Sequence, residues 1–161
     1  MNKTAIAILI FQICLTLHVF AQKAEYAHAV TDTIYFSQVG GKADNLTDNS
    51  PILVGLLKTI NHKKSVILFD DPDKVYLFKS TVVISGIKFL NLVGNAVKKP
   101  KFKFTSETMI GIRIENSSEI LVENIHFIGS GEKRLGVNAA ALKIVRSTRI
   151  TVNTSSQASR S

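Results

Sequence analysis

Tryptophan is absent from the 161 residues, cysteine occurs once and proline three times, and no two histidines stand at a metal-ligand spacing. Each shortage closes a class of explanation. The lone Cys14 lies in the apolar opening, so the rest of the chain has neither a disulfide framework nor a thiolate zinc site. His28, His62 and His126 are far apart and do not form a His-x-x-x-His pair. No phosphate-cradling glycine loop, Ser-His-Asp arrangement or nucleic-acid-binding motif is present. Aromatics are sparse too: beyond residue 21 they are three Tyr and seven Phe, while Val and Ile are plentiful. That composition favours strands over a helical bundle.

The chain has one long apolar run, and it lies at the start. Lys3 precedes a mostly apolar Ala5 to Phe20, and Val19-Phe20-Ala21 offers residues that a signal peptidase accepts. The reading is a signal peptide over residues 1–21, cleaved after Ala21. Gln12 and His18 and the short length argue against a membrane span, and Ile13 before Cys14 is too bulky for a lipoprotein site. The expectation is a secreted, periplasmic or cell-surface protein without a stable membrane anchor. Residues 22–32 read as a linker. Twenty basic against twelve acidic residues give a net charge of +8, or +7 once Lys3 leaves with the leader. A basic exported protein suits anionic polysaccharide, anionic lipid or nucleic acid, or simply stays soluble through its lysines.

The stretch IGIRIENSSEILVENIHF, residues 110–127, alternates apolar and polar residues on both sides of the polar cluster Asn116 to Glu119. Period-two alternation marks half-buried strands, and the cluster marks a turn. Two architectures fit, a hairpin or one coil of a solenoid. Recurrence separates them. Val82, Ile112 and Leu142 are spaced by thirty, as are Ile84, Ile114 and Ile144; Leu90, Ile120 and Ile150; and Leu92, Val122 and Val152. Polar breaks at Gly86-Ile87-Lys88, Asn116-Ser117-Ser118 and Arg146-Ser147-Thr148 keep the same step. A hairpin needs no such long-range repeat, whereas a solenoid stacks each inward side chain on its equivalent. Ile125 to Ile128 and Phe102-Lys103-Phe104 read as further strands on a side that does not hold register. A β-sandwich is the runner-up.

Before the repeat, SPILVGLLKTI predicts a helix over 50–60, with Ser50 as N-cap and Pro51 in the first helical position. Ile52, Leu53, Leu56, Leu57 and Ile60 form its apolar face. Such a helix suits the open end of a solenoid. The fold class predicted is therefore all-β: a right-handed parallel β-helix, or β-solenoid, over residues 33–153, with an N-terminal capping helix, about three regular coils and a polar tail at 154–161.

Family resemblance adds to this. ADNLTDNS, residues 43–50, looks like the G-D-G-x-T-D-D-T opening of pectate lyase-like single-stranded right-handed β-helix proteins, which include polygalacturonases, pectate lyases and phage depolymerases. SVILFDDPDKVYLF, residues 65–78, is similar to that family's strand, turn and tyrosine-bearing strand. VVISGIKFLNLVGN resembles its I-x-L-x-S-x-V-T-L-V-G-x-G coil, and Ile120 to Phe127 its I-x-I-x-N-L-x-F rung. Ala43 and Asn45 replace glycines of the opening motif, and Asn49 and Ser50 replace Asp and Thr. The resemblance implies polysaccharide degradation by hydrolysis or elimination, with calcium entering only through the lyase reading. Family enzymes are longer and carry their catalytic residues on later coils, so the expectation is an N-terminal portion. The alternative is a non-catalytic glycan-binding or structural module.

No catalytic residue, metal ligand or cofactor site is assigned from the sequence. Asp70, Asp71 and Asp73 read as an exposed turn, since a calcium loop would need a central glycine and a distal Glu. Asp44 and Asp48 read as turn and helix-start residues rather than a glycosidase pair. The Lys98-Lys99-Lys101-Lys103 run reads as a solvated loop. Asn45, Asn116 and Asn153 open glycosylation sequons, meaningful in a eukaryotic secretory route. The candidate binding residues are Arg113 and Lys143. They are thirty apart and flanked by inward positions, so alternation sets both outward on neighbouring coils. There they could meet uronate carboxylates, or solvent and Glu115.

Overall fold

Residues that alternate in chemistry also alternate in burial. In SVILF, residues 65–69, positions 65, 67 and 69 are buried; in VVIS, residues 82–85, only Val82 and Ile84 are. The computed structural model describes residues 32–60, 64–105, 110–128 and 140–157. The leader expected over 1–21, nearly all of the linker and the end of the polar tail lie outside those residues.

Strand β1 (Asp32–Tyr35), a 3-10 turn (Phe36–Val39) and β2 (Asp44–Asp48) lead to helix α1 (Ser50–Thr59). Then follow β3 (Ser65–Phe69), β4 (Val75–Phe78), β5 (Val82–Ser85), β6 (Lys88–Gly94) and β7 (Lys101–Phe104). The last four are β8 (Ile110–Glu115), β9 (Ser118–Ile128), β10 (Ala140–Val145) and β11 (Thr148–Gln157). Every strand pair among the described residues is parallel. The class is therefore all-β with parallel strands, and the antiparallel pairing of a hairpin or sandwich is excluded for these strands.

All four thirty-residue columns are in register. Val82 pairs with Ile112 and Ile112 with Leu142; Ile84 pairs with Ile114 and Ile114 with Ile144. Likewise Leu90, Ile120 and Ile150 align, as do Leu92, Val122 and Val152. One sheet is β5-β8-β10. The other begins β1-β3-β6-β9, so β1 and β3 extend the stack below the regular repeat. β9 bends at Asn124 (φ 57°). Its first part pairs with β6, and its last residues pair with β7 at an offset of 25, His126 opposite Lys101 and Phe127 opposite Phe102. β11 follows β9 past its own irregularity between Asn153 and Ser155, beyond which the thirty-residue step becomes 29 and Ser155 faces His126. The backbone of β11 thus runs through the start of the segment read as a polar tail.

Between these walls the core is aliphatic on the regular side and aromatic on the irregular one. Phe69, Tyr76, Phe78 and Phe102 are fully buried, with ring centroids 4.6 Å apart for Phe69 and Phe102 and 4.8 Å for Phe78 and Phe102. Phe127 continues this cluster against Phe102 and Phe104. Such edge-on and tilted pairs add about 0.5–1.5 kcal/mol each beyond area burial. Helix α1 lies against β5 and buries Leu53 and Leu57 in the same core. Gly94 is needed for close approach, because a Cβ there would sit 2.2 Å from the Asn124 carbonyl oxygen.

The corners share a backbone device that side-chain spacing alone did not reveal. Gly86, Asn116 and Arg146 occupy the left-handed region with φ of 67°, 49° and 45°, and so do Phe89, Glu119 and Arg149 at 64°, 56° and 53°. Both sets keep the thirty-residue step. Serines cross-link adjacent corners: Ser117 Oγ accepts the Ile87 amide and donates to the Glu115 carbonyl, and Ser147 Oγ accepts the Ser117 amide. Each such bond satisfies a donor that a tight corner turns away from the strand ladder.

Two outcomes follow for stability, both read by denaturant unfolding. Ile114 is fully buried while Ile144, in the same column, is 45% exposed. Ile114→Ala is expected to cost about 2–5 kcal/mol and Ile144→Ala less than about 1.5 kcal/mol; equal losses would contradict the stacking. Arg146→Gly is expected to stabilise by about 0.5–1 kcal/mol, the relief of a left-handed side chain less glycine's larger unfolded-state entropy. A loss of stability would show that Arg146 earns its conformation through contacts.

Candidate functional site

Strand alternation carries Arg113 and Lys143 to the outward side of β8 and β10, and the register sets them directly opposite one another. Both are half-buried. Two cations at adjacent strand positions repel, so the arrangement needs an anion nearby. Glu115, two residues along β8 on the same face, supplies one: its Oε2 forms an ion pair with Arg113 Nη2. Arg113 Nε is shielded from solvent and has no hydrogen-bond partner. The guanidinium is thus held by one edge, and its fork is only partly used. What the face can do chemically is accept carboxylate or another anion by charge-assisted hydrogen bonds.

A second cross-strand pair has the same thirty-residue spacing and escaped the sequence reading. Arg149 Nε is ion-paired with Glu119 Oε1, with both residues in left-handed corners. Below them Lys88 Nζ lies 4.9 Å from the Phe89 ring centroid. The spacing of 119 and 149 was the available clue, but their corner position hid it, because alternation does not predict where a left-handed residue points.

The acidic residues are brought to separate structural partners. Asp70 accepts from the Ser37 amide and hydroxyl, Asp71 pairs with Lys74 at 2.8 Å, and Asp73 pairs with Lys101 at 2.7 Å. The three carboxylates of the turn therefore do not converge. Tyr76 is pushed above the usual phenol range by burial first and then by the charge of Asp71, to which its hydroxyl donates at 3.2 Å. The lysine run is not one solvated loop: Lys101 and Lys103 lie on β7 and are half-buried, and only Lys98 and Lys99 belong to the loop. His126, opposite Lys101, is held below the usual imidazole range by desolvation, then by Lys101 and Lys99.

At the helix start, Ser50 is the first helical residue and not the N-cap. The cap position is Asn49, and its side chain is spent on tying strands together, accepting the Lys42 amide and reaching the Lys42, Thr47 and Leu77 carbonyls at 2.9, 3.0 and 3.2 Å. Ser50 Oγ instead accepts the amides of Lys79 and Ser80. Asp48 accepts the Ser50 and Lys79 amides, and Pro51 takes the second helical position. Asp44 closes a turn by accepting the amides of Leu46 and Thr47 and the Thr47 hydroxyl. These bonds drop Asp44 to about 2, the Thr47 amide contributing most. Desolvation opposes the shift at Asp48, but the donors on Ser50 and Lys79 outweigh it and its carboxyl is lowered.

These observations define an all-β protein of parallel strands with a cationic cross-strand pair on an outer face. The sequence matches no protein-family model and no curated protein. Among solved structures it is similar to ORF18 of Geobacillus virus E2, with 14% identity and a TM-score of 0.35 over 83% of this chain. The match spans 29% of that protein's length. A likeness this slight carries neither fold nor function across.

A carboxylate with a lowered folded pKa stabilises the fold above its unfolded pKa, and that contribution disappears as pH falls through the folded value. For Asp44 the window runs from about 3.8 down to about 2, and Asp48 loses its share in the same direction. Thermal unfolding between pH 6 and pH 2 is expected to show Tm falling below pH 4. The fall should be shallower in Asp44→Asn/Asp48→Asn, which keeps an acceptor oxygen at each site. An unchanged slope in the double variant would refute the assignment.

Proposed function

We propose that the stack is a right-handed parallel β-helix capped by α1, and that the chain is the N-terminal, glycan-contacting part of an exported pectate lyase-like protein that degrades polysaccharide. Handedness is supported by the preference of parallel strand-crossover-strand connections, which are right-handed in about 98% of cases. The cap is supported by Leu53 and Leu57 entering the core beside β5. One observation carries the functional reading: Arg113 stands in register with Lys143 on an outward face, its guanidinium anchored by Glu115. An anionic polysaccharide, presenting carboxylates in series, suits such a pair better than a neutral one.

The role assigned to these residues is binding. Asp44, Asp48, Asp70, Asp71 and Asp73 serve turns, a helix start or ion pairs, duties that account for them without glycoside cleavage. Asp70, Asp71 and Asp73 hold separate partners, an arrangement that does not fit a calcium cage. This favours, as a second reading, a non-catalytic glycan-binding module.

Affinity electrophoresis through gels containing polygalacturonate or a neutral glucan tests the binding. Retardation by polygalacturonate alone is expected, weakened about tenfold or more in Arg113→Gln/Lys143→Gln. Equal retardation of wild type and variant would sink the assignment. On the same polymer, a rise in ultraviolet absorbance marks a lyase, new reducing ends without it mark a hydrolase, and neither product marks the binding module.

A further inference from the structure

Four lysines among the described residues are half-buried, and Lys99, Lys101 and Lys103 are three of them. Standing two apart, they alternate to the outward side of β7 and its approach, while Pro100, Phe102 and Phe104 are buried. The next strand sets His126 opposite Lys101 and Ile128 opposite Lys103. The His126 amide donates to the Pro100 carbonyl at 2.9 Å and the Lys101 amide to the Lys74 carbonyl at 2.8 Å, so the segment that carries Lys99 is tied on both sides. β7 lies between β4 and β9 in the sheet, and this face belongs to neither open edge of the stack.

Ammonium groups partly withdrawn from water call for anionic company. Asp73 supplies one carboxylate, paired with Lys101 at 2.7 Å and also under the influence of Lys98. Neither Lys99 nor Lys103 is ion-paired with a described residue. Around His126 stand Lys101 and Lys103 on β7, Lys98 and Lys99 on the loop, and Asp73 on the turn before β4. β11 places Ser155 beside it and brings no ionisable residue there, and Glu123 on its own strand lies beyond the bend at Asn124. The cations therefore outnumber the carboxylates. We propose that this face binds a compact, multiply charged oxyanion, a phosphate or sulfate group, between Lys99, Lys101, Lys103 and His126. Lysine and histidine donate as separate points to such a group, whereas the guanidinium fork that matches a planar carboxylate is missing, for β4, β7 and the last part of β9 carry no arginine. Burial, then Lys101 and Lys99, keep His126 below the usual imidazole range. A bound anion reverses that balance, so the imidazole takes up a proton and becomes a further donor, and binding tightens as pH falls. Arg113 lies on the other sheet, so the inference stands whether or not that face binds glycan.

Calorimetry and proton NMR of the purified protein with sodium sulfate, at constant ionic strength made up with chloride, test the site. Sulfate keeps its charge across the histidine range, so any pH dependence belongs to the protein. The His126 resonance, identified by its loss in His126→Asn, is expected to titrate at higher pH in sulfate than in chloride. The sulfate Kd is expected to fall about threefold or more from about pH 7.5 to about pH 5.5, a dependence that His126→Asn removes. Lys99→Gln/Lys103→Gln, which breaks no ion pair among the described residues, is expected to weaken sulfate about tenfold or more. Lys58→Gln/Lys64→Gln, an equal loss of charge at exposed positions elsewhere, is expected to leave it unchanged. Displacement of sulfate by inorganic phosphate at a lower concentration assigns the site to a phosphate group, and the reverse order to a sulfate group. A His126 titration that sulfate moves no further than chloride, acetate as effective as sulfate, or equal weakening by the two lysine pairs would each overturn the proposal.

Discussion

Parallel registration of equivalent side chains is the constraint on which the rest of this molecule depends. Two strands that pair in parallel put residue on residue. A column of Ile84, Ile114 and Ile144 therefore forms only if the chain between them has the right length to return in step. A slip of one residue would turn every inward aliphatic side chain outward. Corners, serines and close-packed glycine all serve that return. The left-handed residues bend the chain sharply, Ser117 and Ser147 take up amides at the bends, and Gly94 lets the Asn124 backbone pass within contact distance.

On the irregular side the same requirement is met by other means. There the offset between paired strands is not thirty, and β7 meets β9 through connections of different length. Rings replace columns: Phe69, Tyr76, Phe78 and Phe102 fill a space whose walls are not in step, each touching others at an angle. Broad side chains that pack edge-on tolerate a variable geometry that stacked β-branched residues would not. The hydrogen bonds of Asn49, Asp48 and Ser50 then fix the helix start to β4 and to the segment that follows it.

The regular half of this architecture was legible because its information is periodic. Ile112, Ile120 and their equivalents announced a thirty-residue step, and the observed register follows it pair by pair. The helix was legible for a similar reason, its apolar face repeating at helical spacing. What escaped was fixed by backbone torsion or by polar partners distant in sequence. Nothing in the text says that Asn49 will spend its amide on Leu77 rather than cap its own helix, or that Ser117 will serve Ile87. Likewise Arg113 and Lys143 were legible as a pair because they ride on alternation. Arg149 and Glu119 were not, because they sit in left-handed corners where alternation stops.

A stack whose levels touch only their neighbours has an energetic direction. At one end α1 sinks Leu53 and Leu57 into the core, so opening that end requires a helix to leave. At the other, Ile144 and Val152 give up less contact than their equivalents deeper in the stack. Among the described residues of the repeat, local opening is therefore cheapest at the β10–β11 level and more costly at the levels of β8–β9 and β5–β6, as in nearest-neighbour arrays. Within the regular repeat, burial thus grades along the stack, and its most loosely packed described level is β10–β11.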